Sequence, residues 1–234
     1  MLKTRDLLIE IGTEELPPKS LKSLATAFSE QMCLALNEVE LDFNDTNWYA
    51  TPRRLSLLIT DLDITQKDKE HQRRGPSLSV AFDKNENPTQ ATVGFAKSCG
   101  VEVKELEKLE SGKGAWLVFN TILKGKKTNE IIPGLVEKSL ERLPIAKRMR
   151  WGNYNIEFVR PIKWILILFG NKTLNCEILG IKSVATSFGH RYHHPDALEI
   201  KSPSEYSNIL RKKGHVIVDY NERLSLIRSQ ISSI

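Results

Sequence analysis

The sequence predicts an α+β fold with mixed or antiparallel sheets, packed helices and two subdomains. Apolar runs of strand length alternate with amphipathic helical segments, but without the regular βαβ order of a parallel sheet and without an internal repeat. Turn signals also join neighbouring predicted strands into hairpins. With 234 residues, 40% of them hydrophobic, the chain is long enough for one large domain or two small ones.

The first predicted segment, residues 1–65, contains a strand, a helix and a hairpin. "RDLLIEIG" is typical of a buried strand that ends at Gly12. The double proline that follows suits the first turn of a helix, where a missing N–H costs nothing, and apolar residues at helical spacing extend this helix to about residue 37. "NWYATPRRLSLLITDL" predicts a hairpin that turns at Thr51-Pro52.

The second predicted segment, residues 66–144, is a helix–hairpin–helix insert or a second subdomain. Its charged start, within residues 65–77, indicates an exposed loop or a strand extension. A helix runs from "NPTQ" to a stop at Gly100, and "EKLESGKGAWLVFNTI" predicts a hairpin. The last helix, in "TNEIIPGLVEKSLERLP", has Thr128 as its predicted cap and Pro144 as its end.

The third predicted segment, residues 145–234, is basic and rich in strands. We expect an apolar strand at 164–169, another near "TLNCEILGI", and a third at "HVIVDY". "SPSEYSNILRKKG" predicts a helix, and "NERLSLIRSQISSI" a second one capped by Asn221. This final helix pattern has no stop signal, which favours a fragment of a larger subunit.

Composition favours a cytoplasmic protein and permits a polyanionic partner without requiring one. No apolar run reaches the ~20 residues of a membrane span, and the charged N-terminus is unlike a signal peptide. The three cysteines lie far apart, which argues against a disulfide framework or a CxxC zinc site. The net charge is +5, and the window 142–163 alone carries six basic residues and one acid. The basicity is therefore local.

The adjacent acids Glu14 and Glu15 in "EIGTEELPP" raise the question of a catalytic or metal site. No partner base or third ligand accompanies them in the sequence, so we interpret the stretch as structural. In that interpretation Thr13 caps the helix and the acids complement its dipole, and a salt bridge to one of the Arg pairs is left open. The sequence also lacks a P-loop, a GxGxxG after a strand, a GxSxG and an HExxH motif, so we expect no catalytic residue in this chain.

The histidines of "FGHRYHHP" are a second candidate metal site. His190 and His194 have the spacing of ligands on one helix face, but Gly189 and Pro195 disfavour a helix there. We therefore expect no metal and interpret the stretch as a polar loop, whose donors suit a phosphate or an RNA.

Basic residues next to aromatic ones suggest an RNA contact. "IAKRMRWGNYNIEFVRPIKW" interleaves both types, and "TPRR" and "HQRRGP" add two Arg pairs. The alternative is that Trp151, Phe158 and Trp164 belong to the core and that the cations form a solvated rim. The candidate RNA-binding residues are Arg53, Arg54, Arg73, Arg74, Lys147, Arg148, Arg150, Arg160, His190 and Arg191.

An ordered series of motifs carries a family resemblance. "LLIEIGTEELPP", "ATPRRL", "RRGP", "NPTQATVGFAKSCGV", "KGAWL", "LPIAKRMRWG", "FVRPIKWILILFG" and "GHRYHHP" occur in this order and cover nearly the whole chain. The chain resembles the N-terminal region of bacterial glycyl-tRNA synthetase β subunits.

The resemblance implies a non-catalytic part of an α2β2 glycine–tRNA ligase. In that family the α subunit carries the class II catalytic core that binds ATP and glycine, with Mg²⁺ expected there, whereas the β subunit binds tRNA(Gly). The family's β subunit continues into an HD-like and an anticodon-binding domain. The resemblance thus implies a chain without cofactors that is inactive alone and acts through the α subunit and tRNA(Gly).

Two other functions stay open at the level of sequence. One is a protein-interaction scaffold that never contacts RNA, because aromatic and Arg side chains also anchor protein interfaces. The other is an editing-like hydrolase that uses the His190–His194 loop. Glycine is the smallest amino acid, so its ligase excludes larger ones sterically and needs little editing, which ranks this function last.

Overall fold

The computed structural model describes residues 3–83, 85–112, 114–152 and 156–233, and its helices and antiparallel sheets confirm the predicted α+β class. The chain forms two compact units. We call residues 1–66 with 126–234 the main unit, and residues 67–125 the inserted unit.

The strands and helices follow one another without a regular βαβ pattern. The strands are β1 (Thr4–Thr13), β2 (Asp45–Thr51), β3 (Arg54–Asp63), β4 (Lys69–Ser77), β5 (Glu107–Ser111), β6 (Gly114–Leu123), β7 (Met149–Arg150), β8 (Glu157–Phe158), β9 (Ile162–Phe169), β10 (Lys172–Thr173), β11 (Glu177–Ile178), β12 (Ile181–Lys182), β13 (Thr186–Phe188) and β14 (Ala197–Glu199). The helices are α1 (Leu21–Glu38), α2 (Leu78–Ala81), α3 (Gln90–Cys99), α4 (Thr128–Glu141), α5 (Tyr206–Lys212) and α6 (Tyr220–Ser232).

A five-stranded antiparallel sheet, in the order β10-β9-β1-β3-β2, is the centre of the main unit. The register places Gly12 of β1 opposite Arg54 on one side and Trp164 on the other. Because β3 and β9 both run antiparallel to β1, the end of β1 lies beside the beginnings of both neighbours. The chain segments that follow β1 and precede β3 and β9 therefore meet at one end of the sheet.

Both faces of this sheet are covered, which explains why β1 and β9 are apolar at nearly every position. One face packs on the apolar sides of α1 and α4, and the other packs on β14 and α5. Side chains on the first face include Leu7, Ile9, Ile11, Leu55, Leu57, Ile59, Ile165 and Ile167. Side chains on the second face include Leu8, Leu166, Leu168, Leu198, Ile200, Tyr206, Leu210 and Val218.

The inserted unit has its own sheet and a small core. Strands β4, β6 and β5 form an antiparallel sheet in that order, and α2 and α3 belong to the same unit. Its buried apolar residues are Ala81, Ala96, Leu106 and Leu117. Gly75 lies under the Phe95 ring, where a Cβ would come within 2.5 Å of a ring carbon.

Most of the predicted elements are present. The structure confirms the opening strand, the helix after the double proline, the hairpin that turns at Pro52, and the strand that contains residues 164–169. The hairpin of β5 and β6 and the helix that stops at Gly100 (φ +73°) are also present. The charged stretch at 65–77 contains strand β4.

The predicted strand at "HVIVDY" is wrong, because residues 215–219 have no regular secondary structure. Only one backbone hydrogen bond joins the stretch to β2, from the Ala50 N–H to the Val218 carbonyl (3.1 Å). Val218 is buried against the second face of the central sheet. The apolar alternation therefore reflects packing onto a sheet and not pairing within one.

Two predicted helix caps are also wrong. Asp219, not Asn221, caps α6, because its carboxylate accepts a hydrogen bond from the Glu222 N–H at 2.9 Å. Thr128 is the first residue of α4, and its hydroxyl donates to the Asp63 carbonyl (2.5 Å) instead of capping the helix.

The compact units have boundaries that differ from the three predicted segments. Helix α4, which the sequence division placed with the insert, packs against α1 in the main unit. Lys138 of α4 forms an ion pair with Glu38 of α1 (2.6 Å). No helix within the described ranges is long and apolar enough to cross a membrane.

Candidate nucleic-acid interface

Three of the segments singled out in the sequence meet at one end of the central sheet. They are residues 12–18 after β1, the turn at 51–54 between β2 and β3, and the loop at 189–195 after β13. Backbone hydrogen bonds join the first two, from the Thr13 N–H to the Arg53 carbonyl (2.9 Å) and from the Leu16 N–H to the Pro52 carbonyl. The three segments therefore form one continuous region of the main unit.

Trp164 forms the floor of this region, and Gly12 makes room for it. A Cβ on Gly12 would lie 2.0 Å from a carbon of the Trp164 ring, so no larger residue fits beneath that ring. Trp164 also meets Phe188 edge-on, with 4.9 Å between ring centroids. The guanidinium groups of Arg53 and Arg54 lie 5.9 and 5.6 Å from the Trp164 ring centre, within cation–π distance.

Beneath this floor lies a buried polar cluster centred on Glu10. The fully buried Glu10 carboxylate accepts hydrogen bonds from Trp164 Nε1 and the Tyr206 hydroxyl, and from Ser187 Oγ at 2.6 Å. The members of the buried polar cluster are Glu10, Arg54, Ser56, Trp164, Ser187 and Tyr206. A buried carboxylate is tolerated only with such partners, and here they come from β1, β3, β9, β13 and α5.

Arg54 supplies the positive charge of the buried polar cluster. It is 2% exposed, and its Nη1 lies 3.5 Å from Glu10 Oε2 and 3.1 Å from Ser187 Oγ. Its Nη2 donates to the Phe188 carbonyl at 2.5 Å. Arg54 was a candidate RNA-binding residue, but this burial leaves it no surface for a phosphate. Arg54 is instead the buried counter-ion of Glu10.

Trp164 lines a hollow of about 290 Å³ together with Arg53 and Arg191. Arg53 and Arg191 also line an open cavity of about 360 Å³, which we call the cleft. The polar residues that line it and matter here are Arg53, His190, Arg191, Tyr192, His215 and Arg223. Glu15 lines the same cavity. The volume is at the lower end of the ~300–1,000 Å³ typical of small-molecule sites.

Arg53 has no ion-pair partner within 4.0 Å among the described residues, although the charges of Glu14 and Glu15 favour its charged form. Its side chain is half-buried, and its Nε has no hydrogen-bond partner within the described part of the chain. Burial, followed by repulsion from Arg191, lowers the pKa of the Arg53 guanidinium below its ordinary value. The charges of Glu14 and Glu15 act in the opposite direction, and an anion entering the cleft would likewise offset the repulsion from Arg191.

The paired acids of the opening motif have a structural role, as the sequence predicted, but not as part of a helix cap. Glu14 lies between two cations, 3.1 Å from Lys163 Nζ and 3.3 Å from Arg191 Nη2. The hydrogen bond from Lys163 is the largest cause that lowers the pKa of the Glu14 carboxyl. The Glu15 carbonyl accepts from Arg160 Nε (3.1 Å). The acids thus tie the segment to β9 and the histidine loop.

The predicted capping role of Thr13 is wrong. The Thr13 hydroxyl is buried and has no hydrogen-bond partner among the described residues. The helical chain begins only with the short 3-10 turn Pro18–Ser20, which leads into α1. Four residues lie between Thr13 and that start, so its hydroxyl does not cap the helix.

The histidine loop is a tight turn and not a helix. The His190 N–H donates to the Gly214 carbonyl (2.7 Å), and the His194 N–H donates to the His190 carbonyl (2.9 Å). His190 Nδ1 accepts from the N–H groups of Tyr192 and His193, at 3.2 and 3.3 Å. Gly189 is required where it stands, because a Cβ there would come within 2.8 Å of the Gly214 backbone.

The basic stretch at 147–160 meets the cleft segments at Arg160, which lines a hollow of about 660 Å³ together with Glu15 and Arg191. Lys147 and Arg160 line a hollow of about 280 Å³. Arg148 donates to the Glu141 carbonyl (2.7 Å), and the exposed Arg150 lies 3.5 Å from Glu157 Oε1. Phe158 and Trp164 are buried, and Trp151 packs against the core. These aromatic side chains therefore belong to the core, as the alternative interpretation had it, and Tyr154 lies outside the described residues.

Arg73 and Arg74 belong to the inserted unit. Arg73 donates to the Ser98 carbonyl at 2.8 Å, and the Arg74 guanidinium stacks 3.6 Å from the centre of the Trp116 ring. We assign them no part in the cleft. Of the predicted RNA-binding residues, the structure brings Arg53, His190 and Arg191 together at the cleft.

The comparisons with known proteins decide the family. A family model described as the glycyl-tRNA synthetase beta subunit matches residues 7–234. The chain belongs to this family. The resemblance predicted from the ordered motifs is thereby confirmed, and the chain is part of a ligase subunit.

Curated relatives agree with the family model. Glycine–tRNA ligase beta subunits from Hahella chejuensis, Marinobacter nauticus and Pseudoalteromonas translucida are 49%, 44% and 42% identical to the chain. These matches cover 98%, 100% and 99% of the chain, but 33%, 34% and 34% of the relatives. The chain therefore spans about a third of the length of the curated relatives that it matches.

Sequence reasoning missed several residues of this beta-subunit segment. Glu10 lies within an apolar strand and was not selected, and neither was Tyr192, which lies between Arg191 and His193. Arg223 lines the cleft from α6, where its guanidinium donates to the carbonyls of Ile217 (2.6 Å) and Ala50 (2.8 Å). A charged residue in a fully apolar strand is the signal that could have revealed Glu10.

Proposed function

We propose that this chain is a non-catalytic, tRNA-binding part of a glycine–tRNA ligase beta subunit, and that its cleft contacts phosphates of tRNA(Gly). The observation that carries the proposal is the Arg53 guanidinium, half-buried at the cleft beside Arg191 and without an ion-pair partner within 4.0 Å among the described residues. In this proposal the ATP-dependent, class II attachment of glycine takes place on a partner alpha subunit of an α2β2 enzyme, which holds ATP and Mg²⁺. The chain alone is then inactive.

Electrostatics favours a phosphate as the anion that Arg53 binds. A guanidinium presents two parallel N–H groups that match two phosphate oxygens, and burial strengthens that pairing. The nearby carboxylate of Glu14 is already engaged by Lys163 and Arg191, at 3.1 and 3.3 Å. Phosphates on a polynucleotide also reach several cations at once, which suits a cleft lined by four arginines, of which Arg54 is buried.

The carboxylates near the cleft support a non-catalytic role. Glu10 is enclosed by its donors beneath the Trp164 ring and is fully buried, so no substrate reaches it. Glu14 is held as a carboxylate between two cations, which suits an ion pair better than proton transfer. Neither acid has the exposed, poised geometry of a general base.

A matched pair of variants tests the proposal. Arg53→Gln removes the cation of the cleft, whereas Arg5→Gln removes an exposed cation at the opposite end of β1. We expect Arg53→Gln to weaken tRNA(Gly) binding about tenfold, because a charged hydrogen bond is lost. The slope of log affinity against log salt should fall by about 0.7–0.9. Equal affinities and slopes for the two variants in a filter-binding assay would contradict the proposal.

A protein-contact role is the second candidate function, and α6 favours it. This helix has no buried residue, and it exposes Ile227 and Ile231, the latter by 67%. Exposed apolar positions at helical spacing are typical of a helix that packs on another protein surface. If the chain acts only as a scaffold, Ile227→Asp with Ile231→Asp should abolish co-purification with the alpha subunit, and Arg53→Gln should leave tRNA binding unchanged.

A further inference from the structure

A line of exposed rings borders the cleft beside Arg53. Tyr192 is 81% exposed, and its ring centre lies 6.2 Å from that of His190. The His190 ring lies 4.5 Å from His193, which lies 6.1 Å from His215. Tyr192 also lines the cleft, so its open ring face is available to a flat group bound there.

The loop that carries these rings is fixed in place. Its two ends are tied by the backbone bonds of His190 to Gly214 and of His194 to His190, at 2.7 and 2.9 Å. The amides of Tyr192 and His193 both donate to His190 Nδ1, which sets the orientation of that ring. A ring presented on a fixed turn binds a flat ligand without first losing much conformational entropy.

We infer that the cleft holds one unpaired nucleotide of an RNA strand, with its base stacked on Tyr192 and its phosphate bound by Arg53 and Arg191. The inference rests on the proposed function and names the part of the RNA that the cleft accepts. A base within a duplex has both faces covered by its neighbours, whereas an unpaired base exposes a face to an aromatic ring. The cavity of about 360 Å³ is of a size that suits one small ligand.

A nucleotide engages both the guanidinium groups and the Tyr192 ring, through its phosphate and its base. An acidic peptide segment would satisfy the guanidinium groups of Arg53 and Arg191, but it would leave the flat face of Tyr192 without a partner. A duplex backbone would likewise engage only the cations. The pairing of unsatisfied positive charge with an open ring face therefore favours an unpaired nucleotide.

The test measures binding of three RNA probes to the 234-residue protein. The probes are a ten-nucleotide single strand, the same strand in a blunt duplex, and an abasic ribose–phosphate strand of equal length. The variants are Tyr192→Ala, Tyr192→Phe and Arg53→Gln. We expect Tyr192→Ala to weaken binding of the single strand about 5- to 100-fold, as for the loss of one stacked base, and Tyr192→Phe to behave as the wild type.

The other probes separate stacking from charge. Tyr192→Ala should not change binding of the duplex or of the abasic strand, whereas Arg53→Gln should weaken binding of all three probes. If Arg53→Gln has this effect but Tyr192→Ala has none, the inference is overturned and the proposed function stands. If Arg53→Gln changes nothing, the proposed function itself fails.

Two further results would overturn the inference. One is equal binding of the blunt duplex and the single strand by the wild type, which would show that the cleft reads only phosphates. The other is binding of a poly-glutamate peptide that depends on Tyr192 as strongly as the single strand does, which would assign the cleft to a protein. Because Tyr192 is so exposed, its substitution is not expected to disturb folding, and thermal unfolding of each variant checks this.

Discussion

The buried polar cluster and the cleft meet at the turn that carries Arg53 and Arg54, yet the two regions differ in how they pair charge. Arg54 is enclosed with Glu10, and each of its amino nitrogens has a partner at 3.5 Å or less. Arg53, the preceding residue, is half-buried at the cleft and has no ion-pair partner within 4.0 Å among the described residues. Two neighbouring arginines thus have different environments, although both lie within 6 Å of the Trp164 ring centre.

The two regions therefore have different roles: the buried polar cluster holds the chain segments together, and the cleft presents a cation to a ligand. The buried polar cluster joins β1, β3, β9, β13 and α5 through Glu10, so it ties together the strands that lead into the turn at 51–54 and the histidine loop. The cleft keeps a cation without an ion-pair partner among the described residues, which is unfavourable for stability and useful for binding an anion. Substitutions in the two regions should therefore affect different measurements.

The largest expected effect is a loss of folding stability when the buried polar cluster is altered. Glu10→Gln leaves the Arg54 charge buried without its counter-ion, which typically costs about 3–5 kcal/mol. The surface ion pairs of Glu14 are worth less than about 1 kcal/mol, so Glu14→Gln is the matched control. Urea denaturation of both variants gives the comparison. Similar losses of unfolding free energy would mean that the cluster is no more important for stability than an exposed ion pair.

A smaller effect is the loss of folding stability at alkaline pH that we expect from Tyr206. Burial, followed by the Glu10 charge, raises the pKa of Tyr206 well above its ordinary value. The unfolded chain releases this proton near pH 10 while the folded chain retains it, so folding stability is full below pH 10 and falls as the pH rises above it.

Tyr206→Phe isolates this contribution. We expect it to cost about 1–3 kcal/mol at neutral pH, because the hydroxyl that joins Glu10 and Ser56 is lost. The difference between wild type and variant should shrink above pH 10, by up to about 1.4 kcal/mol per pH unit. Chemical denaturation at pH 8, 10 and 11 measures it. A difference that stays constant over this range would show that Tyr206 does not titrate with folding.

The local elements of the fold follow from the sequence because their signals are local. The apolar spacing of α1, the turn at Pro52 and the stop at Gly100 each lie within a few residues of the structure that they predict. "HVIVDY" has the alternation of a strand but is wrong, because alternation records which side chains are buried and not what pairs with the backbone.

The candidate site could be predicted only in part. Arg53, His190 and Arg191 were identified one by one, from residue type and neighbouring glycine or proline. Their convergence depends on β1 pairing with both β3 and β9, and the hydrogen bond between Glu10 and Tyr206 spans 196 positions of the chain. No local pattern encodes contacts of that range, and for the same reason Arg53 and Arg54 looked alike in the sequence.

The smallest expected effect is on RNA affinity, when Glu14 at the edge of the cleft is substituted. Glu14 neutralises Lys163 and Arg191, so Glu14→Gln should free both cations for RNA. We expect tRNA(Gly) to bind up to about fivefold more tightly at low salt, with a steeper salt dependence, since exposed ion pairs are worth about 1 kcal/mol or less. Salt titrations of Glu14→Gln and Arg53→Gln should then shift in opposite directions. A loss of affinity in Glu14→Gln would instead mean that Glu14 orients Arg191 toward the phosphate, and that the cleft, like the buried polar cluster, depends on a paired cation.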